Sequence, residues 1–450
     1  MNDAASSAPT AATDFVAALR GAAPYVHAHN GRTFVIAFGG DAALRADFDR
    51  FIYDVGLLHS LGVKLVLVHG ARPQIDAQMA AHGLTPHYSG KLRVTDRAAL
   101  DCVKAAVGPL RMDIEARLST SLASTPMGGA RIKVAGGNWI IARPVGVRDG
   151  VDHQHTGEVR RVDVDAIREV LAADRIALIS PVGYSPTGEI FNLRSEDVAT
   201  AVATQLGADK LVFVCTSNPD GWKLADDTGD AGQLSLAEGG RLLSESPAIG
   251  DEDRNYLQAA LAAGRGGVLR VHLVGADTEG VLLRELYTRD GVGLMLYADE
   301  NYEAVREATI DDVGGILGLI KPLEDAGVLV PRSREQLELE ISFFDVMVRD
   351  GTVIACCALY PFPHNEMAEI SCVAVHPDYR RSGRAEALLL RAEETARKQG
   401  LRKLFALTTQ TPHWFIEHGF KQTAIAELPM QKQRIYNYRR NSLVLIKELF

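Results

Sequence analysis

No run of apolar residues in this sequence approaches the ~20 needed to cross a bilayer, so no membrane helix is expected. Positive charge is in deficit: 48 Lys and Arg stand against 57 Asp and Glu, a formal net charge of −9. That balance argues against nucleic acid or an anionic membrane as a bulk partner. Cysteine is sparse. Cys102, Cys215, Cys356, Cys357 and Cys372 show no metal-type pairing, and most lie in apolar, strand-like runs. The adjacent Cys356 and Cys357 would point to opposite faces of a strand. We read all five as reduced core residues of a cytoplasmic protein, with no metal expected. The first dozen residues lack the basic start and apolar core of a secretory signal and are expected to form a disordered tail. Internal repeats are also missing. What is present is a globular composition, 47% apolar and 23% charged over 450 residues, enough for two or three domains with buried cores.

The amino-terminal two-thirds alternates strand-like and helix-like segments. Thr33–Phe38, Lys64–Val68, Ala177–Ser180, Leu211–Cys215 and Arg270–Val274 are near-continuous apolar runs. Between the first two, Leu44, Phe48, Phe51, Ile52, Val55 and Leu58 fall on one helical face. A short helix is expected over Asp14–Arg20, ahead of Pro24. This alternation predicts an α/β fold with a mainly parallel, helix-covered sheet. Ligands of such sheets bind at the carboxyl ends of strands, where the turns Phe38-Gly39-Gly40-Asp41 and His69-Gly70-Ala71-Arg72 stand. From Val305 the pattern becomes strand, helix and antiparallel meander, with a hairpin at Asp350-Gly351. The expected organisation is a tail over 1–12, a first domain over 13–297, a linker over 298–302 and a smaller α+β domain over 303–450.

The chemistry concentrates in residues 369–385. Glu369 and Cys372-Val373-Ala374-Val375 form a strand that runs into Arg380-Arg381-Ser382-Gly383-Arg384-Ala385. Ala385, Leu388, Leu389, Ala392 and Ala396 then recur at the helical period. A glycine turn opening a helix converges several backbone N–H groups on one point and suits a pyrophosphate. Lys403–Thr408 reads as another buried strand, followed by Trp414-Phe415-Ile416-Glu417-His418-Gly419-Phe420.

These segments, in this order, resemble the GNAT acetyltransferases. The resemblance implies acetyl-CoA as co-substrate, held by Cys372, Val373, Val375, Arg380, Arg381, Gly383, Arg384 and Ala385. It places Glu369 at the family's general-base position and Thr408 at a serine position that implies a general acid. Phe415 stands where many members carry tyrosine. The first domain resembles the amino-acid kinase family through Val35-Ile36-Ala37-Phe38-Gly39-Gly40, Gly90-Lys91-Leu92-Arg93-Val94-Thr95-Asp96 and the segment opening at Asn192. A working kinase needs a lysine on the transferred phosphoryl and glycines where phosphate meets backbone. Ala37 occupies the lysine position, Ala71-Arg72-Pro73 replaces a glycine run, and Arg194 and Glu196 replace Asn and Asp. The first domain is therefore expected to be catalytically silent.

A silent kinase-type domain ahead of a GNAT domain is the arrangement of the N-acetylglutamate synthases of arginine biosynthesis, and the resemblance covers nearly the whole chain. It implies acetyl transfer to the amino group of L-glutamate, whose two carboxylates call for cations. Arg332 and Arg440 match the family's glutamate-contacting arginines and Ser442 its neighbouring hydroxyl; Arg334 is a secondary candidate. It further implies feedback by L-arginine bound near Tyr25, His272, Glu285, Gly291 and Gly293, and a homo-oligomer, by resemblance a hexamer. The competing readings are an acetylglutamate kinase with an accessory acetyltransferase, a protein lysine acetyltransferase and a non-catalytic CoA-binding module.

Overall fold

The computed structural model describes residues 11–120, 132–216, 219, 222, 232–246, 249–288, 291–298, 305–349, 352–380, 383–437 and 442–449. The chain divides into two compact units, residues 1–299 and 300–450. The first is α/β. Its strands β1 (Thr33–Phe38), β2 (Lys64–His69), β3 (Ile176–Ile179), β4 (Lys210–Cys215), β5 (Arg270–Gly275) and β6 (Leu294–Tyr297) form one sheet in the order β6-β5-β4-β1-β2-β3. Short strands Gln233–Ser235 and Val134–Ala135 flank it at either edge. All pairs are parallel except β5 with β6. Side chains of β1 alternate between two cores: Phe34, Ile36 and Phe38 on one face, Val35 and Ala37 on the other. Helices cover both faces, which explains why these strands are apolar throughout.

Two helices differ from the sequence expectation. Helix α1 spans Ala11–His29, so it takes in two residues of the expected tail and passes through Pro24. An internal proline removes a helix bond at a cost of ~3 kcal/mol. Here Ala22, Tyr25 and Val26 pack on the core around it, and His29 is buried edge-on to Phe34 and Tyr287. Helix α2 (Phe48–Ser60) buries Phe48, Ile52, Val55 and Leu58 as expected, but Leu44 belongs to a preceding 3-10 turn and is 66% exposed.

The second unit is a seven-stranded sheet. Its strands are β7 (Val305–Glu307), β8 (Phe344–Arg349), β9 (Thr352–Phe362), β10 (Met367–Val375), β11 (Lys403–Thr408), β12 (Lys421–Thr423) and β13 (Leu443–Glu448), ordered β7-β8-β9-β10-β11-β13-β12. Only β10 and β11 run parallel. Asp350 and Gly351 lie outside the described residues; the antiparallel pair Arg349 and Thr352 flanks them. Helix α3 (Arg384–Lys398) makes the parallel crossover from β10 to β11. Its Leu389, Ala392 and Ala396 face the sheet, and it stops before Gly400 at φ +74°.

Candidate active site

The parallel pair creates the site by coming apart. Strand β10 pairs with β11 only over Met367, Ala368 and Glu369, opposite Lys403, Leu404 and Phe405. Beyond that point β11 stays with β13 as far as Thr408, while β10 stays with β9. The edge of Ile370–Val375 that faces β11 is left without a strand partner, so its backbone can bond an extended ligand by strand addition. A bulge sharpens the divergence: Cys372 takes φ +51°, and the register shifts between Cys356 and Ala358 on β9. A left-handed cysteine is uncommon, and strain of this kind concentrates at working sites.

A cavity of about 1090 Å³ opens at this fork. Glu369, Thr408, Arg332 and Ser442 line it, as does every cofactor candidate within the described residues. Arg381 and Arg440 lie outside those residues. Gly383 sits at φ +70° as the residue before α3, a conformation glycine adopts without penalty. The first N–H groups of α3 have no helical acceptor, and the residues that carry them, Arg384, Ala385 and Glu386, line the cavity. Arg384 is buried; its guanidinium donates to the Tyr379 carbonyl at 3.1 Å and lies 5.4 Å above the Tyr379 ring. It therefore also holds Tyr379, ahead of the helix. Arg380 donates from Nε to the Val375 carbonyl at 3.4 Å and stays exposed.

Glu369 is 5% exposed at the apex of the fork. Lys432, from the short helix Met430–Arg434, brings Nζ to 2.5 Å from Glu369 Oε2. The contact is an ion pair without hydrogen-bond alignment. Thr408 Oγ1 accepts from the N–H groups of Gln410 and Thr411 at 3.4 and 3.2 Å and so holds the turn into helix Pro412–Glu417. Thr411 Oγ1 lies 3.3 Å from the same hydroxyl, and either oxygen can donate in that pair. Phe415 is buried edge-on to Phe420, in keeping with a packing residue.

Arg332 reaches Ser371 Oγ at 3.4 Å, and its Nε is buried without a hydrogen-bond partner. Burial works against its charge, but Cys372, Tyr360 and Glu340 hold the guanidinium above its ordinary value. Burial in turn pushes the Cys372 thiol up to about 11, with Arg332 pulling it back. The Tyr360 hydroxyl donates to Glu340 at 2.5 Å; burial and that carboxylate push its phenol well up. Arg334, by contrast, pairs with Glu338 on its own helix and does not line the cavity. Sequence reading missed Lys432, Tyr360 and Glu340. Lys432 sits in Met430-Gln431-Lys432-Gln433-Arg434, whose polarity resembles any solvated helix.

In the first unit, four of the five expected effector residues converge. His272 and Glu285, both buried, meet at 2.6 Å through Nδ1 and Oε1. Glu285 Oε2 accepts from the N–H groups of Val292 and Gly293 at 2.7 and 2.9 Å. Gly291 stands at φ +64°, where an added Cβ would lie 2.5 Å from Glu285 Oε2. Despite its burial, the His272 contact and the two backbone donors keep the Glu285 carboxyl below the usual range. Burial, with Lys210 nearby, holds the His272 imidazole down. Tyr25 joins through His29, 6.2 Å away between ring centroids, which in turn contacts Tyr287 of the helix carrying Glu285.

The kinase-type turns are closed on one another. Gln74 Nε2 donates to the Gly40 carbonyl at 2.6 Å, and a Cβ on Gly70 would lie 3.1 Å from Gly40 N. Ala37 is buried in the sheet. Asn192 spends its amide on Thr95 Oγ1 at 3.1 Å. Beside Asn192, Arg194 approaches Glu196 and Asp197 only at 3.9 Å.

Comparison with known proteins agrees with both halves of this geometry. The amino acid kinase family matches residues 32–274 and the acetyltransferase (GNAT) family residues 319–420. The amino-acid acetyltransferase of Pectobacterium atrosepticum is 49% identical over 97% of this chain and 99% of its own. That of Pseudomonas fluorescens is 50% identical over 97% and 100%. The chain belongs to the amino-acid acetyltransferase family. Among solved structures, N-acetylglutamate synthase from Neisseria gonorrhoeae complexed with coenzyme A and L-arginine superposes with a TM-score of 0.85 at 37% identity, covering 96% of this chain and 99% of that one. The same synthase complexed with coenzyme A and N-acetyl-glutamate gives 0.61 at 38% identity, covering 97% and 99%. The protein is an acetyltransferase, and it shares its fold with that synthase.

Proposed function

We propose that this protein is an N-acetylglutamate synthase: it transfers acetyl from acetyl-CoA to the α-amino group of L-glutamate, the first step of arginine biosynthesis, under feedback by L-arginine. The observation that carries the reading is the one cavity in which the strand fork, the buried carboxylate of Glu369 and the cation of Arg332 meet. The full-length likeness to amino-acid acetyltransferases supports it.

The pantetheine arm of acetyl-CoA lies along the free edge of Ile370–Val375, including Cys372, Val373 and Val375. Its pyrophosphate rests on the N-terminus of α3 at Gly383, Arg384 and Ala385, with Arg380 and Arg381 supplying charge. The glutamate amine is protonated at neutral pH, since an α-amino group titrates near ~8. Glu369 takes one N–H proton, directly or through water. The nitrogen lone pair attacks the thioester carbon, and the oxyanion is met by backbone N–H groups of β10. As the C–S bond breaks, the nitrogen, made cationic by the attack, gives its second proton to solvent. The departing thiolate receives the Thr408 hydroxyl proton, which solvent replaces, and Glu369 releases its own proton to solvent. Arg332, Arg440 and Ser442 hold the carboxylates, arginine being suited to bidentate pairing.

The first unit is regulatory. With no lysine at Ala37 and Gln74 filling its glycine turn, it is silent as a kinase. L-arginine binds beside Tyr25, His272 and the Gly291–Gly293 turn; Glu285, with both oxygens engaged, braces that turn. The protein acts in the cytoplasm as a homo-oligomer, a hexamer by family resemblance. The outward Phe15, Val16 and Leu19 of α1 support subunit contacts there. The test is to mix purified protein with acetyl-CoA and each free amino acid, follow CoA release, and then add L-arginine. Glutamate alone should give rapid release that responds to arginine; release at background would sink the proposal.

A further inference from the structure

Glu369 is a buried carboxylate, and among the described residues the cation that pairs with it is Lys432, at 2.5 Å. The two come from different elements that line the cavity, Glu369 from β10 and Lys432 from the helix Met430–Arg434. Stripping the partner from a buried charge is strongly unfavourable. A ligand amine that approaches Glu369 must therefore satisfy the displaced Lys432 as well. A bare amine cannot do so. An α-amino acid carries an ammonium and a carboxylate on one carbon, and can exchange ion pairs with both residues at once.

The surroundings give the pair a direction. Ser371 follows Glu369 by two residues on the same strand, about 6.8 Å along it, and Arg332 reaches Ser371 Oγ. Arg332 Nε, buried and without a hydrogen-bond partner, is an unspent donor at that end. The separation suits the reach from the amine of a short dicarboxylic amino acid to its distal carboxylate.

We infer that Glu369 and Lys432 together form the receptor for the zwitterionic head of the acceptor, the ammonium docking on Glu369 and the α-carboxylate on Lys432, while Arg332 takes the side-chain carboxylate. This rests on the reading of Glu369 as the acceptor-side base. Lys432 is then a specificity residue that rejects amines lacking an α-carboxylate.

The probe set is glutamate, 4-aminobutyrate (glutamate without its α-carboxylate), glutamate α-amide and glutamine. For each, kcat/KM is measured with the full-length wild type, Lys432→Met and Lys432→Arg. Wild type should prefer glutamate over 4-aminobutyrate and the α-amide by about 100-fold or more. In Lys432→Met that preference should shrink to within about threefold, while the preference over glutamine and the KM for acetyl-CoA stay put; Lys432→Arg should restore most of it. The inference is overturned if wild type accepts 4-aminobutyrate as readily as glutamate, or if Lys432→Met keeps wild-type discrimination. Should Lys432→Met not fold, the wild-type and Lys432→Arg panels decide. Unchanged turnover in Glu369→Gln would instead remove the base reading, leaving the analogue preferences to stand as measured.

Discussion

Glu369 joins burial, an ion pair and a position at the apex of a strand fork. If it is the base, Glu369→Gln should lower kcat by about 10²–10⁴ and leave acetyl-CoA affinity within about twofold, as seen by steady-state CoA release and calorimetry. Equal losses in both would mark a structural glutamate. Thr408→Val removes both the hydroxyl proton and the acceptor that holds the 408–411 turn. It should slow turnover and cost about 1 kcal/mol of stability, whereas Thr408→Ser should retain both; a fully active Thr408→Val would dismiss it as the acid. In the first unit, His69 is fully buried with Nε2 2.9 Å from Ser180 Oγ, and burial pushes its imidazole down to about 4. An unfolded histidine titrates near ~6.5, so between those values the unfolded chain binds more protons. Stability of this unit should thus be complete above pH ~6.5 and fall by about 1.4 kcal/mol per pH unit on acidification toward 4. Denaturant titrations from pH 7 to 5 on wild type and His69→Gln would reveal a flatter slope in the variant. Motifs made Glu369 and Arg332 legible from sequence. Lys432 was not, because its role depends on a contact spanning 63 positions of chain.

At the scale of elements, the near-continuous apolar run of β1 and the helical period of the segment after Gly383 carried enough information to place both cores. What they lacked was the fork. Pairing of β10 with β11 ends after three residues, and that depends on where the bulge at Cys372 falls and on β13 holding β11 aside. Gly383 is testable as part of this device. No atom lies within 4 Å of where its Cβ would be, so Gly383→Ala introduces backbone strain alone, worth about 1 kcal/mol. The KM for acetyl-CoA should rise severalfold with only a small fall in Tm. An unchanged KM would mean that the left-handed turn is not needed to present the N–H groups of α3. Helix α1 teaches the converse. Proline is a strong local stop signal, yet packing of Tyr25 and Val26 on the core carries the helix past Pro24.

For the whole molecule, the proposed effector and substrate would be linked by reciprocity: whatever factor L-arginine applies to glutamate affinity, glutamate must apply to arginine affinity. Arginine should raise the Tm of the intact protein, by an amount that grows with the logarithm of its concentration once that exceeds Kd. Glu285→Gln weakens the grip on the N–H groups of Val292 and Gly293 and should diminish both the Tm shift and the response of turnover to arginine. Turnover without arginine should remain near wild type. A full arginine response in Glu285→Gln would take the 291–293 turn out of the effector site.

Composition and periodicity determined the fold class and short motifs an anion site; the resemblance of those motifs to two families implied the acetyl-CoA half of the chemistry and the loss of kinase groups at Ala37 and Pro73. Those properties are local, since each is written in residue types a few positions apart. Tertiary structure alone decided that Lys432 faces Glu369, that Arg334 is turned away from the cavity, and that Glu285 is already committed to a backbone turn. A charged side chain has the same local pattern whether it meets water or a partner. Only the fold brings the opposite charge, and the burial that makes the meeting matter.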